Sequence, residues 1–209
     1  TAQPVIEQFL EPSQLTLEGL RSMPHQSAIL PQPERESFYQ DLVAFPDKKV
    51  DCCPGLFAEG LERCETIFKE LEGEDPAQLK IISLRTNYMH NSNLANMRAL
   101  KESRHAAGNP LHIHPVDAQR RGLIEGDLAH VFNSHGRVTT PVMLDDTMLP
   151  GVVALSHGYG QDRAPGVRVA MSHPGVNVNR LLPTGLGSYE KLSNMSHMNG
   201  VPVAVEKAV

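Results

Sequence analysis

The hydrophobic pattern of the chain changes character near residue 79. Before it, apolar positions recur at helical spacing. Phe57, Leu61, Cys64, Phe68 and Leu71 are separated by 4, 3, 4 and 3 residues. That spacing predicts an amphipathic helix over Leu56–Leu71, with Cys64 buried on its stripe as a small apolar residue. Gly73, Glu74, Asp75 and Pro76 supply its stop. Shorter helices are expected at Leu15–Arg21 and at Glu34–Ala44, the second closed by Pro46. From Leu79 onward, short apolar runs alternate with turn residues. Leu79–Leu84, Leu111–His114, Leu128–Phe132, Arg137–Leu144, Pro150–Leu155 and Val201–Val205 read as strands. Pro202 puts the last of them at a sheet edge or a bulge, because proline has no N–H for a ladder. Asn93–Glu102 is expected to be a short helix with Asn93 as N-cap, and Pro115–Arg121 a two-turn helix stopped by Gly122. Asn133–Gly136 reads as a hairpin turn with Gly136 supplying a positive φ. The fold class that follows is mainly β, a compact barrel with short helices over residues 79–209, preceded by a partly helical lead-in segment over residues 1–78.

Composition narrows the function more than the fold. The 209 residues carry 19 basic and 24 acidic side chains, a net charge of −5, which speaks against a nonspecific nucleic-acid binder. No apolar run approaches the roughly 20 residues of a membrane helix, so no membrane insertion by this chain is expected. Three cysteines, two of them adjacent at Cys52 and Cys53, make no disulfide framework and are compatible with a cytoplasmic location. The chain opens on Thr1-Ala2-Gln3-Pro4 without an initiator Met, as expected of a piece of a longer protein.

Ten histidines invite a metal reading. His112 and His114 are the sharpest local case, since residues i and i+2 on a strand share a face. No Glu follows at cupin spacing, and neither HExxH nor CxxC occurs. Packing or solvent-facing histidines are the alternative, and no metal site is assigned. Ser156 and His157 are neighbours, but neighbours on a strand point to opposite faces, and no G-x-S-x-G elbow occurs. Glycine-rich phosphate motifs of the P-loop or GxGxxG kind are also absent. One constellation remains. Arg85, Thr86, Asn87, His90, Asn91, Ser92 and Asn93 follow the first barrel strand; His157, Gly158, Tyr159 and Gly160 follow another; Asn177 and Asn179 lie in a third loop. Such groups, nearly without carboxylates, suit a large anionic ligand with many heteroatoms: Arg for phosphate, Asn and Ser for ring edges, Gly for close backbone approach. Ordinary turn-forming loops are the other reading of the same residues.

Six stretches in order, Ile82–Ser92, Asn109–Asp127, Ser134–Arg137, Met148–Gly160, Gly175–Leu181 and Asn199–Val203, resemble the molybdopterin-dinucleotide-binding domain that ends the large subunit of molybdenum or tungsten bis-guanine-dinucleotide oxidoreductases. Formate dehydrogenases, nitrate reductases and dimethyl-sulfoxide-reductase relatives belong to that group. The resemblance implies a double-psi β-barrel and, as cofactor, molybdopterin guanine dinucleotide in its bis form with Mo or W. By position it implies that Arg85, Thr86, Asn87, His90, Asn91 and Ser92 line the dithiolene and diphosphate region, while His157, Gly158 and Asn179 approach the pterin. It also implies that the metal ligand, the iron–sulfur cluster and most substrate residues belong to upstream domains. No catalytic residue is assigned here, and the chain is not expected to be catalytically complete alone. The partners implied are electron-transfer subunits and the remaining domains of the same large subunit. A stand-alone double-psi barrel binding module without redox chemistry is the alternative.

Overall fold

A computed structural model describes residues 2–32, 34–75, 77–102 and 108–208. The chain divides into two compact units, Thr1–Pro54 and Gly55–Val209. In the first unit, helix α1 (Gln3–Leu10) is followed by α2 (Leu17–Ser22), which starts where the Gly19 N–H donates to Thr16 Oγ1 at 3.0 Å. The helix expected over Glu34–Ala44 is interrupted: a 3₁₀ turn at Arg35–Ser37 leads into the single turn α3 (Phe38–Asp41). Lys48 Nζ ends that turn by donating to the carbonyls of Gln40 (2.8 Å) and Val43 (3.2 Å).

The second unit opens with α4 (Gly55–Glu72). Its length agrees with the apolar periodicity, but its burial does not. Phe57, Leu61, Phe68 and Leu71 are exposed, and so is Cys64, which corrects the expectation that its thiol is buried. Periodicity reports that a face is apolar, not that anything covers it. Gly60 is the buried residue of the helix, because a Cβ there would stand 2.5 Å from Leu192 Cδ1. Beside it Arg63 Nη2 donates to Glu190 Oε1 at 2.9 Å. The backbone N–H groups of Ser193 and Leu192, helped by Arg63, hold the Glu190 carboxyl down at about 2. Gly73, Glu74 and Asp75 do end α4, while Pro76 lies outside the described residues.

Six strands, β1 (Leu79–Leu84), β2 (Leu111–Ile113), β3 (Leu128–Phe132), β4 (Arg137–Leu144), β5 (Val152–Ser156) and β6 (Val201–Lys207), close a barrel in the order β1-β5-β2-β4-β3-β6. The pairs β1/β5 and β2/β4 are parallel; the others are antiparallel. This is the mainly β, barrel-with-short-helices architecture expected of residues 79 onward. Alternation sends Val138, Thr140 and Val142 of β4 and Val201, Val203 and Val205 of β6 inward. The valines among them pack with Leu79, Ile81, Leu111, Ile113, Val131, Val153 and Leu155 in one core.

Local details depart from expectation in three places. A closed barrel has no edge strand, so Pro202 is not on one; it lies where β6 pairs with β1 alone, over 201–203, before β3 takes over at Ala204. Gly136 does not have a positive φ. It is required because the Arg180 carbonyl oxygen sits 2.5 Å from where its Cβ would be. The helix expected over Asn93–Glu102 shrinks to α5 (Arg98–Lys101), capped by Met97 rather than Asn93. The preceding residues fold into successive turns, with Asn91 at φ 52° and Met89 and Ala95 buried beneath. Helix α6 (Pro115–Arg120) forms as expected, with the Val116 N–H donating to His114 Nδ1 at 3.1 Å. One further short helix, α7 (Arg168–Ser172), lies in the long loop before β6.

Candidate functional site

The site is built by a register. In the parallel pair β1/β5, Leu84 stands opposite Ser156, so the next residues, Arg85 and His157, emerge side by side. The ladder continues one step further as the His157 N–H donates to the Leu84 carbonyl at 3.3 Å. Three side chains then meet on one oxygen: Asn91 Oδ1 accepts from Arg85 Nη1 at 2.9 Å and from His157 Nε2 at 3.0 Å. His157 Nδ1 stands 3.0 Å from Leu84 O. Arg85 can only donate, which fixes the orientation of the Asn91 amide. Both His157 contacts are to oxygen, and the tautomer decides which ring nitrogen donates.

The same loops are locked through backbone. Gly158 has φ 91°, and a Cβ on it would lie 2.1 Å from the Asn91 carbonyl oxygen. Its bareness therefore serves loop-on-loop packing with residue 91. Gly175 is similarly pressed against Asn109 Oδ1, 2.4 Å from the position of a Cβ. Asn109 is buried, donating through Nδ2 to the carbonyls of Ser156 (2.7 Å) and Val176 (2.8 Å) and accepting from the Val176 N–H at 2.8 Å. It ties the end of β5 to the third loop. Sequence reasoning misses it, since a turn-forming Asn before Pro110 carries no sign of burial.

Of the other residues singled out in the sequence, Thr86 turns toward a neighbouring cavity of about 510 Å³. Asn87, His90 and Ser92 are exposed on the first loop. Asn179 is brought elsewhere, to a separate cavity of about 310 Å³ that Tyr189 and His197 also line. His112 and His114 share no ion site: His112 Nδ1 meets Asp145 Oδ2 at 2.9 Å while His114 serves α6. Among the described residues no group of three His, Cys, Asp or Glu could hold a metal, and no helix is long and apolar enough to cross a membrane.

Beneath the loops lies a buried cation. Lys101 is 0% exposed; its Nζ donates to the His173 carbonyl at 3.1 Å and stands 3.9 Å from the ring centroid of Tyr159. Burial pulls the Lys101 amine down to about 8 and pushes the Tyr159 phenol up. Between about pH 8 and about 10.5 the unfolded chain holds a proton on Lys101 that the folded chain has lost, so stability rises with pH across that window. Below about pH 8 the folded chain carries the cost of burying the charged amine in full. Lys101→Met is expected to remove this slope in urea melts run from about pH 7 to about 10, and an unchanged slope would count against it. Tyr159 acts with the opposite sign, above its ordinary value.

Whether these loops fit a large polar ligand can be tested on their unsatisfied groups. Thr86 Oγ1 and Gln161 Oε1 are buried without a hydrogen-bond partner among the described residues. Both lie in the loops that follow β1 and β5, beside the Arg85–Asn91–His157 cluster. A ligand bearing phosphates and a heteroaromatic ring offers partners to all of them.

Comparison with known proteins bears on the same region. A model of the molydopterin dinucleotide binding domain matches residues 79–199. The trimethylamine-N-oxide reductase 1 of Escherichia coli (strain K12) is 29% identical over 137 residues, covering 62% of this chain and 16% of the reductase. A dimethyl sulfoxide reductase of the same strain is 35% identical over 112 residues, covering 54% of this chain and 13% of the relative. A tetrathionate reductase chain of Salmonella typhimurium is 35% identical over 82 residues, 39% of this chain and 8% of that relative. The chain thus matches less than a fifth of the length of these relatives. Among solved structures, the acetylene hydratase from Pelobacter acetylenicus superposes with a TM-score of 0.51 at 21% identity, over 62% of this chain and 18% of that one, a likeness of fold.

Proposed function

The chain belongs to the molydopterin dinucleotide binding domain family, and from that premise we propose that residues 79–209 are the cofactor-binding part of a molybdenum or tungsten oxidoreductase, with residues 1–78 leading into it. The group to be held is molybdopterin guanine dinucleotide, and when bound it supplies two-electron redox chemistry at its metal. The residues of this chain hold and orient it. Arg85 offers its remaining guanidinium N–H groups to diphosphate oxygens, in the fork geometry that suits them. Asn91 fixes the direction of Arg85 and of His157. His90 and Ser92, exposed on the same loop, reach outward to the ligand.

The observation that carries this reading is the convergence of Arg85 and His157 on Asn91 Oδ1, at 2.9 and 3.0 Å, at the ends of two parallel strands. The named relatives are reductases of trimethylamine N-oxide, dimethyl sulfoxide and tetrathionate. We place the parent nearer to these than to formate dehydrogenases or nitrate reductases. Its substrate residues, any iron–sulfur cluster and its electron-transfer partners belong to the rest of that larger protein. Titration of the chain with inorganic diphosphate tests the site. Arg85→Ala is expected to weaken binding by roughly tenfold or more, the worth of a charge-assisted pair. Equal binding by the folded variant would move the diphosphate away from Arg85.

A further inference from the structure

On the outside of the barrel, below the first loop, lies the cavity of about 510 Å³, a size typical of small-molecule sites (roughly 300–1,000 Å³). Strand alternation makes its floor. Leu111 and Ile113 of β2 and Val142 of β4 face the core, so His112, Pro141 and Met143 face outward. Thr86, Tyr88, Asn109, Ser156 and Tyr159 are among the other residues that line it. The lining mixes apolar and aromatic surface with four polar side chains, Thr86, Asn109, His112 and Ser156; the Asn109 amide is spent on the Ser156 and Val176 backbone, and Thr86 and His112 are placed to read a ligand. Thr86 Oγ1 is buried without a partner among the described residues. His112 is backed by Asp145, which takes its Nδ1 at 2.9 Å and also accepts from the N–H and hydroxyl of Thr147. The bonds from Thr147 and then His112 hold the Asp145 carboxyl below its ordinary range. Asp145 does not itself line the cavity. With Nδ1–H committed to the carboxylate, the imidazole keeps Nε2 for what enters, as an acceptor in the neutral ring.

We propose that this cavity takes a flat bicyclic heteroaromatic ring through its 2-amino-4-oxopyrimidine edge, with His112, oriented by Asp145, as the group that reads the edge. This rests on the cofactor-binding reading above and says which part of the ligand lies here. The edge carries a ring N–H and an exocyclic amine, donors for Nε2, and a carbonyl that can accept from the Thr86 hydroxyl. Guanine and pterin share it, and the two ends of the dinucleotide therefore present the same chemistry. Adenine reverses it: its ring nitrogen accepts, and the 2-amino group is missing. Tyr88 and Met143 supply surfaces for the ring faces.

Calorimetric titration of the 209-residue chain with guanosine, 6-methylpterin and adenosine tests this. Guanosine or 6-methylpterin is expected to bind at least about tenfold more tightly than adenosine, and the tighter of the two identifies which end of the dinucleotide the cavity holds. His112→Ala is expected to remove that preference, and Asp145→Asn, which keeps the ring but loosens its orientation, to reduce it. His112→Gln serves where the Ala variant does not fold. Inorganic diphosphate with Arg85→Ala is run alongside. Diphosphate binding that depends on Arg85, together with base binding that is absent or indifferent to His112, overturns the base site and leaves the cofactor-binding reading standing. Base binding that depends on His112, with diphosphate indifferent to Arg85, supports the base site and relocates the phosphates. Binding of none of the probes overturns both.

Discussion

Asn109→Ala is expected to be the most damaging single substitution in the barrel unit, lowering stability by about 3–5 kcal/mol. Three hydrogen bonds of 2.7–2.8 Å end on this buried side chain. Its removal leaves the Ser156 carbonyl, the Val176 carbonyl and the Val176 N–H without their partner in a site that water reaches poorly. Each orphaned group costs about 1–3 kcal/mol. The effect is confined to no single loop, because the backbone carbonyl of Asn109 also accepts from Thr140 Oγ1 at 2.9 Å and Gly175 is packed against its amide. Denaturant unfolding of the variant checks the size, and a loss below about 1 kcal/mol would mean that the loops re-form their bonds without it.

Gly158→Ala is expected to cost about 2–3 kcal/mol, from a left-handed backbone penalty of about 1–2 kcal/mol plus a contact that cannot be relieved by side-chain rotation. The Cβ would meet backbone, the Asn91 carbonyl at 2.1 Å. One of the two loops must move, and with it the oxygen on which Arg85 and His157 converge. The melting temperature should fall by roughly 5–10 °C, and diphosphate binding should weaken together with it. A variant that melts lower yet binds diphosphate as before would show that the loops are not held by this contact.

The six strands are legible in the sequence because each is a short apolar run bounded by Gly, Pro or Asn, and such punctuation is local. What no local pattern carries is which strands pair. Arg85 and His157 are 72 positions apart, and only the parallel register of Leu84 with Ser156 makes them neighbours. The same holds for His112: its spacing to His114 suggests a shared ion, whereas its partner is Asp145, a residue 33 positions on. Gly136 and Gly158 stand out in the sequence, but for a conformation or a ligand. In the fold each is required by a carbonyl oxygen from a distant segment. Cys64 shows the reverse limit, a correct helix whose covering the sequence does not encode. Side-chain chemistry singles out the polar loops, but not that Thr86 and Asn179 line two different cavities.

The place of β6 has a consequence for biosynthesis. It is the strand that closes the ring between β1 and β3, and it is made after the other five. On the ribosome, β1 and β3 emerge with their outer rims unsatisfied and must wait for Val201–Lys207. During that interval the nascent barrel offers two templates for strand addition by another chain. Completion of this domain is thus coupled to translation of its last strand, and a chain cut short before Val201 would be an adhesive product in place of a smaller barrel.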